Sequence, residues 1–136
     1  MSRNEIRLTV AAAVAAVLVM GIAALIYGGH REEQRIARIV ALTRGRPERG
    51  AMALARYGCG GCHTVPGIVG ADGTVGPPLA GIAQRAYVAG VLRNTPTNMA
   101  AWIRNPRGID PHSAMPDTGV REQESRDITA YLYTLE

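Results

Sequence analysis

The feature that most constrains this chain is the pentad Cys59-Gly60-Gly61-Cys62-His63. Its two cysteines are the only ones among the 136 residues, so no thiol remains for a disulfide elsewhere. Closely spaced cysteines serve three kinds of chemistry, namely a thioredoxin-like redox pair, a zinc site, and covalent attachment of a c-type haem. Whichever applies, no disulfide joins distant parts of the chain.

The histidine directly after the second cysteine favours haem attachment. The two sulfurs can form thioethers with the vinyl groups of haem, and the imidazole of His63 can bind its iron. A thioredoxin-like pair would need a βαβ setting, and no strand-like run surrounds this motif. A zinc site would need four ligands, and His112 is the only other plausible donor. The sequence therefore predicts one covalent haem c, attached at Cys59 and Cys62 and ligated by His63.

A second constraint is the uncharged apolar run from Leu8 to Tyr27. As a helix it would be about 30 Å long, enough to span the hydrocarbon core of a bilayer. A signal peptide has a shorter apolar core and ends in a small-x-small cleavage site, so an uncleaved anchor is favoured. We expect residues 1–29 to form the membrane anchor, residues 30–46 a charged helical stalk, and residues 47–136 a separate globular domain.

Charge is distributed unevenly between these parts. Residues 1–46 hold seven arginines and three acids, net +4, whereas residues 47–136 hold eight arginines and eight acids, net zero. The basic excess lies beside the anchor, where it can meet anionic lipid or form a solvated helix face. Because the remaining domain has no excess charge, a nucleic-acid-binding surface is not predicted.

Helical periodicity predicts an all-α domain. Apolar or small residues recur at i, i+3, i+4 and i+7 after Pro47, which suits the first turn of a helix. A second helix begins at Thr95-Pro96 and ends before Pro106, and a last helix covers about residues 121–135. Between them, residues 64–79 are rich in glycine and proline and predict a loop. The apolar stretch 79–92 predicts a further short helix.

Iron held by one histidine has a sixth position, which one of three later residues could fill. Met99 lies on the apolar face of the second helix with Trp102, so core packing explains it. Met115 lies in the irregular segment Pro111-His112-Ser113-Ala114-Met115-Pro116, where a thioether can be aimed at a buried ring. His112 is the alternative, although a surface histidine is its ordinary role. Met115 is therefore the expected ligand, and as a soft, neutral donor it would raise the reduction potential.

Taken together, these motifs resemble class I cytochromes c over residues 47–136. The resemblance is carried by the pentad and by Gly76-Pro77-Pro78-Leu79, Trp102-Ile103, Asn105-Pro106, Met115-Pro116 and Ala130-Tyr131-Leu132. It implies helices around one haem, a first and last helix that cross closely at Gly50 and Tyr131, a Pro77 carbonyl that accepts a hydrogen bond from His63, and a pocket shaped by Pro77 and Trp102.

The resemblance also bears on orientation. Two arginines precede the apolar run and five follow it within residues 31–46, which by the positive-inside rule alone would keep the domain in the cytoplasm. Proteins with this pentad resemble cytochromes that mature outside the bacterial inner membrane, so we expect the domain on the periplasmic side.

The segments 92–103 and 111–116 are similar to the cytochrome c domain fused to subunit II of some haem-copper oxidases. No cluster of Cys, His and Met for a dinuclear copper centre precedes the pentad, which favours a separate carrier or a small subunit. The expected function is non-enzymatic transport of single electrons to, or within, a terminal oxidase. A subunit of a dehydrogenase or quinol-oxidising complex, a haem peroxidase and a haem-based sensor are the alternatives.

Overall fold

The computed structural model describes residues 2–135, which divide into two compact units between Ile36 and Ala37. The first unit is most of helix α1 (Arg3–Thr43). This helix is long and apolar enough to cross a membrane, judged by length and composition. The large side chains of its apolar run are exposed, as at Leu25, which is 79% exposed.

The second unit is built mainly from helices, as the sequence predicts. After the end of α1 come α2 (Pro47–Arg56), α3 (Pro96–Arg104), α4 (Pro106–Ile109) and α5 (Glu122–Leu132). Two strands of two residues each, β1 (Tyr87–Val88) and β2 (Leu92–Arg93), pair antiparallel in a small hairpin. Single 3-10 turns occur at Cys59–Gly61 and Ile82–Gln84.

Helices α2 and α5 form the most extensive contact of this unit, and they meet backbone to backbone at Gly50. A Cβ atom at Gly50 would lie 2.0 Å from the carbonyl oxygen of Asp127 and 2.8 Å from Cβ of Tyr131. Only glycine leaves room for so close a crossing. The crossing implied by the resemblance is therefore present in the structure.

The core lies between α2, α3 and α5 and continues beneath the glycine-rich loop. Each helix contributes the apolar face that its periodicity predicts, and the segments between the helices add six further apolar residues. The helical members are Ala53, Leu54, Met99, Trp102, Ile103, Ile128 and Leu132, and the others are Val65, Ala71, Leu79, Ile82, Val88 and Val120.

The connection between α1 and α2 is held by a buried carboxylate. Asp127, 4% exposed, accepts hydrogen bonds from the backbone N–H of Arg46 at 2.8 Å and from Nε2 of Gln123 at 3.1 Å. Gln123 also donates to the carbonyl of Arg44 at 3.0 Å. Because these bonds satisfy the exposed backbone groups of the turn, the chain enters α2 in one defined direction.

The stretch 79–92 differs from the prediction, since it holds a single 3-10 turn and the hairpin rather than a helix. Gly81, Ala89 and Gly90 all have positive φ, at 60°, 52° and 77°, which a right-handed helix cannot contain. A second difference is α4, which begins directly at Pro106 because the side chain of Asn105 accepts from the N–H of Gly108 and caps a new turn.

We expect Gly50→Ala to lower the free energy of unfolding by about 1–3 kcal/mol, because the added methyl group must force two backbones apart. Chemical denaturation of the full-length protein, followed by circular dichroism, measures the loss. Gly61→Ala is the matched control, since a Cβ there meets nothing within 4 Å. Equal stability of the two variants would contradict the tight crossing.

A polar contact also links α2 to α5 at the surface. The hydroxyl of Tyr57 donates to Oε2 of Glu124 at 2.5 Å, and the guanidinium of Arg56 pairs with the same carboxylate. The Tyr57 hydrogen bond is the main cause that lowers the pKa of Glu124 below its ordinary 4.5. The ionised carboxylate is therefore the form that stabilises the fold.

Since the folded-state pKa of Glu124 is lowered, its contribution to stability is present above pH 4.5 and is lost as the pH falls through the folded value. Glu124→Gln should therefore be less stable than wild type at neutral pH, and the two should converge in acid. Denaturation midpoints measured across this range test the prediction. Tyr57→Phe should lose the same contribution, and the double variant should lose little more. Parallel wild-type and variant curves at every pH would refute it.

Candidate haem-binding site

The pentad begins where α2 ends. Gly58 adopts φ 68°, a left-handed conformation that ends the helix and turns the chain into the 3-10 turn Cys59–Gly61. The backbone N–H groups of Cys62 and His63 both donate to the carbonyl of Cys59, at 3.2 and 3.0 Å. These bonds coil the pentad tightly. Cys59 is half-buried against the core, whereas Cys62 is exposed.

Both cysteine thiols are free, and their environment differs from that of a redox pair. Burial raises the pKa of the Cys59 thiol, whereas a thioredoxin-like nucleophile needs a lowered one. Within residues 2–135, no group of three or more His, Cys, Asp and Glu side chains is arranged to hold a metal ion. The geometry thus favours neither the thioredoxin-like nor the zinc interpretation of the motif.

His63 is oriented by the loop that follows it. Its Nδ1 lies 2.8 Å from the carbonyl oxygen of Pro77. Because a carbonyl can only accept, Nδ1 carries the proton and donates, and the lone pair of Nε2 remains available to a metal. This is the hydrogen bond that the resemblance implies for Pro77.

Glycines allow the loop to approach the pentad closely. A Cβ at Gly76 would lie 2.3 Å from Cε1 of the His63 ring, and one at Gly73 would lie 2.5 Å from the carbonyl oxygen of Gly61. Backbone bonds from Gly76 to Cys62, 2.8 Å, and from Gly73 to Gly60, 3.0 Å, fix the loop in place. The loop therefore forms a wall against the imidazole.

The three candidates for a sixth ligand occupy different environments. Met99 is 1% exposed within the core, in agreement with its packing role. The side chain of His112 is 96% exposed and lies 3.6 Å from Asp110. Met115 is half-buried and packs against the same core cluster as Cys59. Its N–H donates to the hydroxyl of Ser113 at 3.1 Å, which stabilises this irregular segment. Of the three, Met115 borders the core without belonging to a helix face.

Residues 47–136 match the family model described as cytochrome c. The chain is a member of the cytochrome c family. It acts in electron transfer, and family membership favours a carrier over an enzyme.

Two cytochrome c oxidase subunit 2 proteins are similar to this cytochrome. The protein from Alkalihalophilus pseudofirmus (strain ATCC BAA-2126 / JCM 17055 / OF4) is 33% identical over 89 residues, which is 64% of this chain and 25% of that protein. The protein from Bacillus sp. (strain PS3) is 30% identical over 87 residues, 61% of this chain and 24% of that protein. The cytochrome thus spans about a quarter of the length of these curated relatives. No solved structure matches it.

The family implies a c-type haem, and two features of this cytochrome fit one. The first is the close approach of Gly76 and Pro77 to His63, which leaves the lone pair of Nε2 available to bind iron. The second is the hydroxyl of Thr118, which among the described residues is the one buried side-chain oxygen or nitrogen without a hydrogen-bond partner. A buried hydroxyl without a partner is costly, and the carboxylates of a haem would supply an acceptor.

Sequence reasoning overlooked these contributions of Gly76 and Thr118. Gly76 was visible only as part of a motif, because nothing in a sequence reports how near a loop comes to a ring. Thr118 had no signal, since threonines are common in loops and their burial is a tertiary property. Trp102, in contrast, is buried at 9% exposure on the helix face where its spacing puts it.

We expect Gly76→Ala to reduce the fraction of purified protein that carries a six-coordinate haem, because the added methyl group would overlap the His63 ring. The ratio of Soret absorbance to peptide absorbance and the position of the visible bands measure this fraction. Val75→Ala, in the same loop but 82% exposed at the native residue, is the control and should behave as wild type. A normal spectrum for Gly76→Ala would contradict the close approach.

Proposed function

We propose that this cytochrome is a membrane-anchored carrier with one covalent haem c, which passes single electrons to a terminal oxidase on the periplasmic side of a bacterial inner membrane. The observation that carries the proposal is the hydrogen bond from Nδ1 of His63, in the pentad, to the carbonyl of Pro77, in the loop that follows it. It prepares one imidazole nitrogen for iron, next to the two thiols that would attach the ring.

Each site residue then has a chemical role. When bound, a c-type haem supplies a one-electron Fe(II)/Fe(III) couple. Cys59 and Cys62 would hold it through thioethers, and His63 would bind the iron through Nε2. The hydrogen bond to Pro77 fixes the tautomer and orientation of the imidazole and strengthens Nε2 as a ligand. Met115 would supply the soft thioether that favours Fe(II) and raises the potential.

The apolar core beside these residues keeps water away from the reacting centre. Met99, Trp102 and Ile103 are at most 9% exposed and form the inner face of α3. A dry environment disfavours the more highly charged Fe(III) form, so burial would raise the reduction potential. We assign Trp102 this packing role rather than a ligand role.

Electrons would leave through the exposed edge at Cys62. We call this the Cys62 surface, and it is formed by Cys62 and Val75. The two residues lie close together because the N–H of Gly76, next to Val75, donates to the carbonyl of Cys62. Val75 is 82% exposed. Between Tyr57 and Gln84, Asp72 is the only Asp, Glu, Lys or Arg. An apolar surface with little charge suits brief contacts, as in weak redox encounters.

The similarity to cytochrome c oxidase subunit 2 supports an oxidase as the electron acceptor. The apolar part of α1 supports anchoring, which would raise the effective concentration of the cytochrome near membrane partners and let weak docking suffice. In this proposal, residues 1–29 form the anchor, residues 30–46 the stalk, and residues 47–136 the cytochrome domain.

We predict that Met115→Ala loses the weak far-red methionine-to-iron(III) absorption band, whereas His112→Ala keeps it. The reason is that Met115 borders the core while His112 points into solvent. The reduced wild-type protein should bind carbon monoxide poorly and the Met115 variant readily, because a six-coordinate site offers no vacancy. An unchanged band in Met115→Ala, or ready binding by wild type, would oppose the ligand assignment and favour a peroxidase or gas sensor.

The proposed function is tested with the full-length protein in mild detergent. Mass analysis of the pentad peptide should show a haem adduct. The reduced protein should be oxidised by a purified haem-copper oxidase from the same membranes, in a reaction that cyanide blocks. An oxidation rate that does not depend on the oxidase would remove it as the acceptor, and a dehydrogenase or quinol-oxidising complex would then be the partner to examine.

A further inference from the structure

A groove of about 460 Å³ lies on the second unit. Three segments line it, namely the end of α1 with the residue after it (residues 41–44), the outer face of α3, and the start of α5. None of the lining residues belongs to the pentad or to the other proposed site residues. We call it the arginine groove, after Arg44, Arg104 and Arg126 in its wall.

The groove forms because the two faces of α3 carry different side chains. Its inner positions Met99, Trp102 and Ile103 are buried in the core. Its outer positions Thr97, Ala100, Ala101 and Arg104 follow the i, i+3, i+4, i+7 spacing and line the groove. Two alanines on the outer stripe leave space where larger side chains would fill it. The α1 end adds Leu42, which is 56% exposed.

The charge of the groove favours a negatively charged ligand. Its charged lining residues are three arginines and one acid, Glu122, which gives it a net charge of +2. The single carboxylate is shared, since Glu122 pairs with Arg104 at 3.6 Å and also with Arg126. Two guanidiniums are thereby held beside one carboxylate, and the groove keeps an excess of positive charge. Carboxylates would complement it, especially through the forked geometry of arginine.

We propose that the arginine groove docks an acidic segment of the oxidase outside the membrane, with carboxylates paired to Arg44 and Arg104 and apolar side chains against Leu42 and the alanines. This inference rests on the proposed function and names a surface for it. The groove holds the partner by charge, while the apolar Cys62 surface remains available for electron transfer. The two surfaces thus separate residence on the oxidase from the transfer contact.

The double variant Arg44→Glu/Arg104→Glu tests the groove, with Arg49→Glu/Arg107→Glu as a matched control of equal charge change at exposed arginines outside it. The probe is the purified haem-copper oxidase from the same membranes, in mild detergent at low salt. We expect the groove variant to bind at least about tenfold more weakly and the control to stay within about twofold of wild type. Wild-type binding should weaken as salt rises, and binding by the groove variant should depend less on salt.

Arg44→Gln/Arg104→Gln gives a milder change in case reversed charges disturb folding, and the haem spectrum and oxidation by ferricyanide report an intact site in each variant. Wild-type-like binding by the groove variants, with normal oxidase turnover, would overturn the groove while leaving the proposed function in place. Failure of wild type to bind or reduce the oxidase would overturn both. Self-association that depends on the groove arginines would identify a second copy as the occupant and refute this assignment.

Discussion

The close crossing of α2 and α5 at Gly50 is the contact on which the rest of the compact unit depends. It brings the backbone of one helix against the carbonyl of Asp127 on the other, at a distance that no side chain would allow. Because α2 ends at the pentad, the crossing determines where Cys59 and His63 emerge from the core. Asp127 also binds the turn before α2, so the same crossing defines how the chain enters that helix.

The loop between residues 64 and 79 completes the site by approaching the pentad rather than by contributing a helix. Its glycines permit this approach, and the Pro77 carbonyl selects the tautomer of His63. A loop of this kind would be poorly defined alone. Here three backbone bonds, from Gly73, Gly76 and Leu79, tie the loop to the pentad and to Thr64 directly after it, and a fourth, from Val65 to Ala71, closes the loop on itself.

The cytochrome has two surfaces that differ in charge and polarity. The Cys62 surface is apolar and nearly free of charge, which suits short contacts through which an electron can pass. The arginine groove is lined by three arginines and one acid, which suits a longer association with an acidic partner. Separation of the two is consistent with the arrangement of α3, whose inner face packs the core beside the site and whose outer face lines the groove.

The sequence predicts those features that depend only on residues close together along the chain. These features are the pentad spacing, the apolar run of α1, and the prolines that begin α2 and α3. The interpretation of Met99 as a core residue rather than a ligand belongs with them. Covalent attachment, bilayer thickness and helical periodicity all act over short stretches of sequence. The sequence alone therefore determined the family, the helical class and the candidate ligands. Tertiary structure alone decided the rest. The hairpin at 87–93, the buried hydroxyl of Thr118 and the shared carboxylate of Glu122 depend on left-handed turns and on contacts between distant segments, which no local pattern encodes.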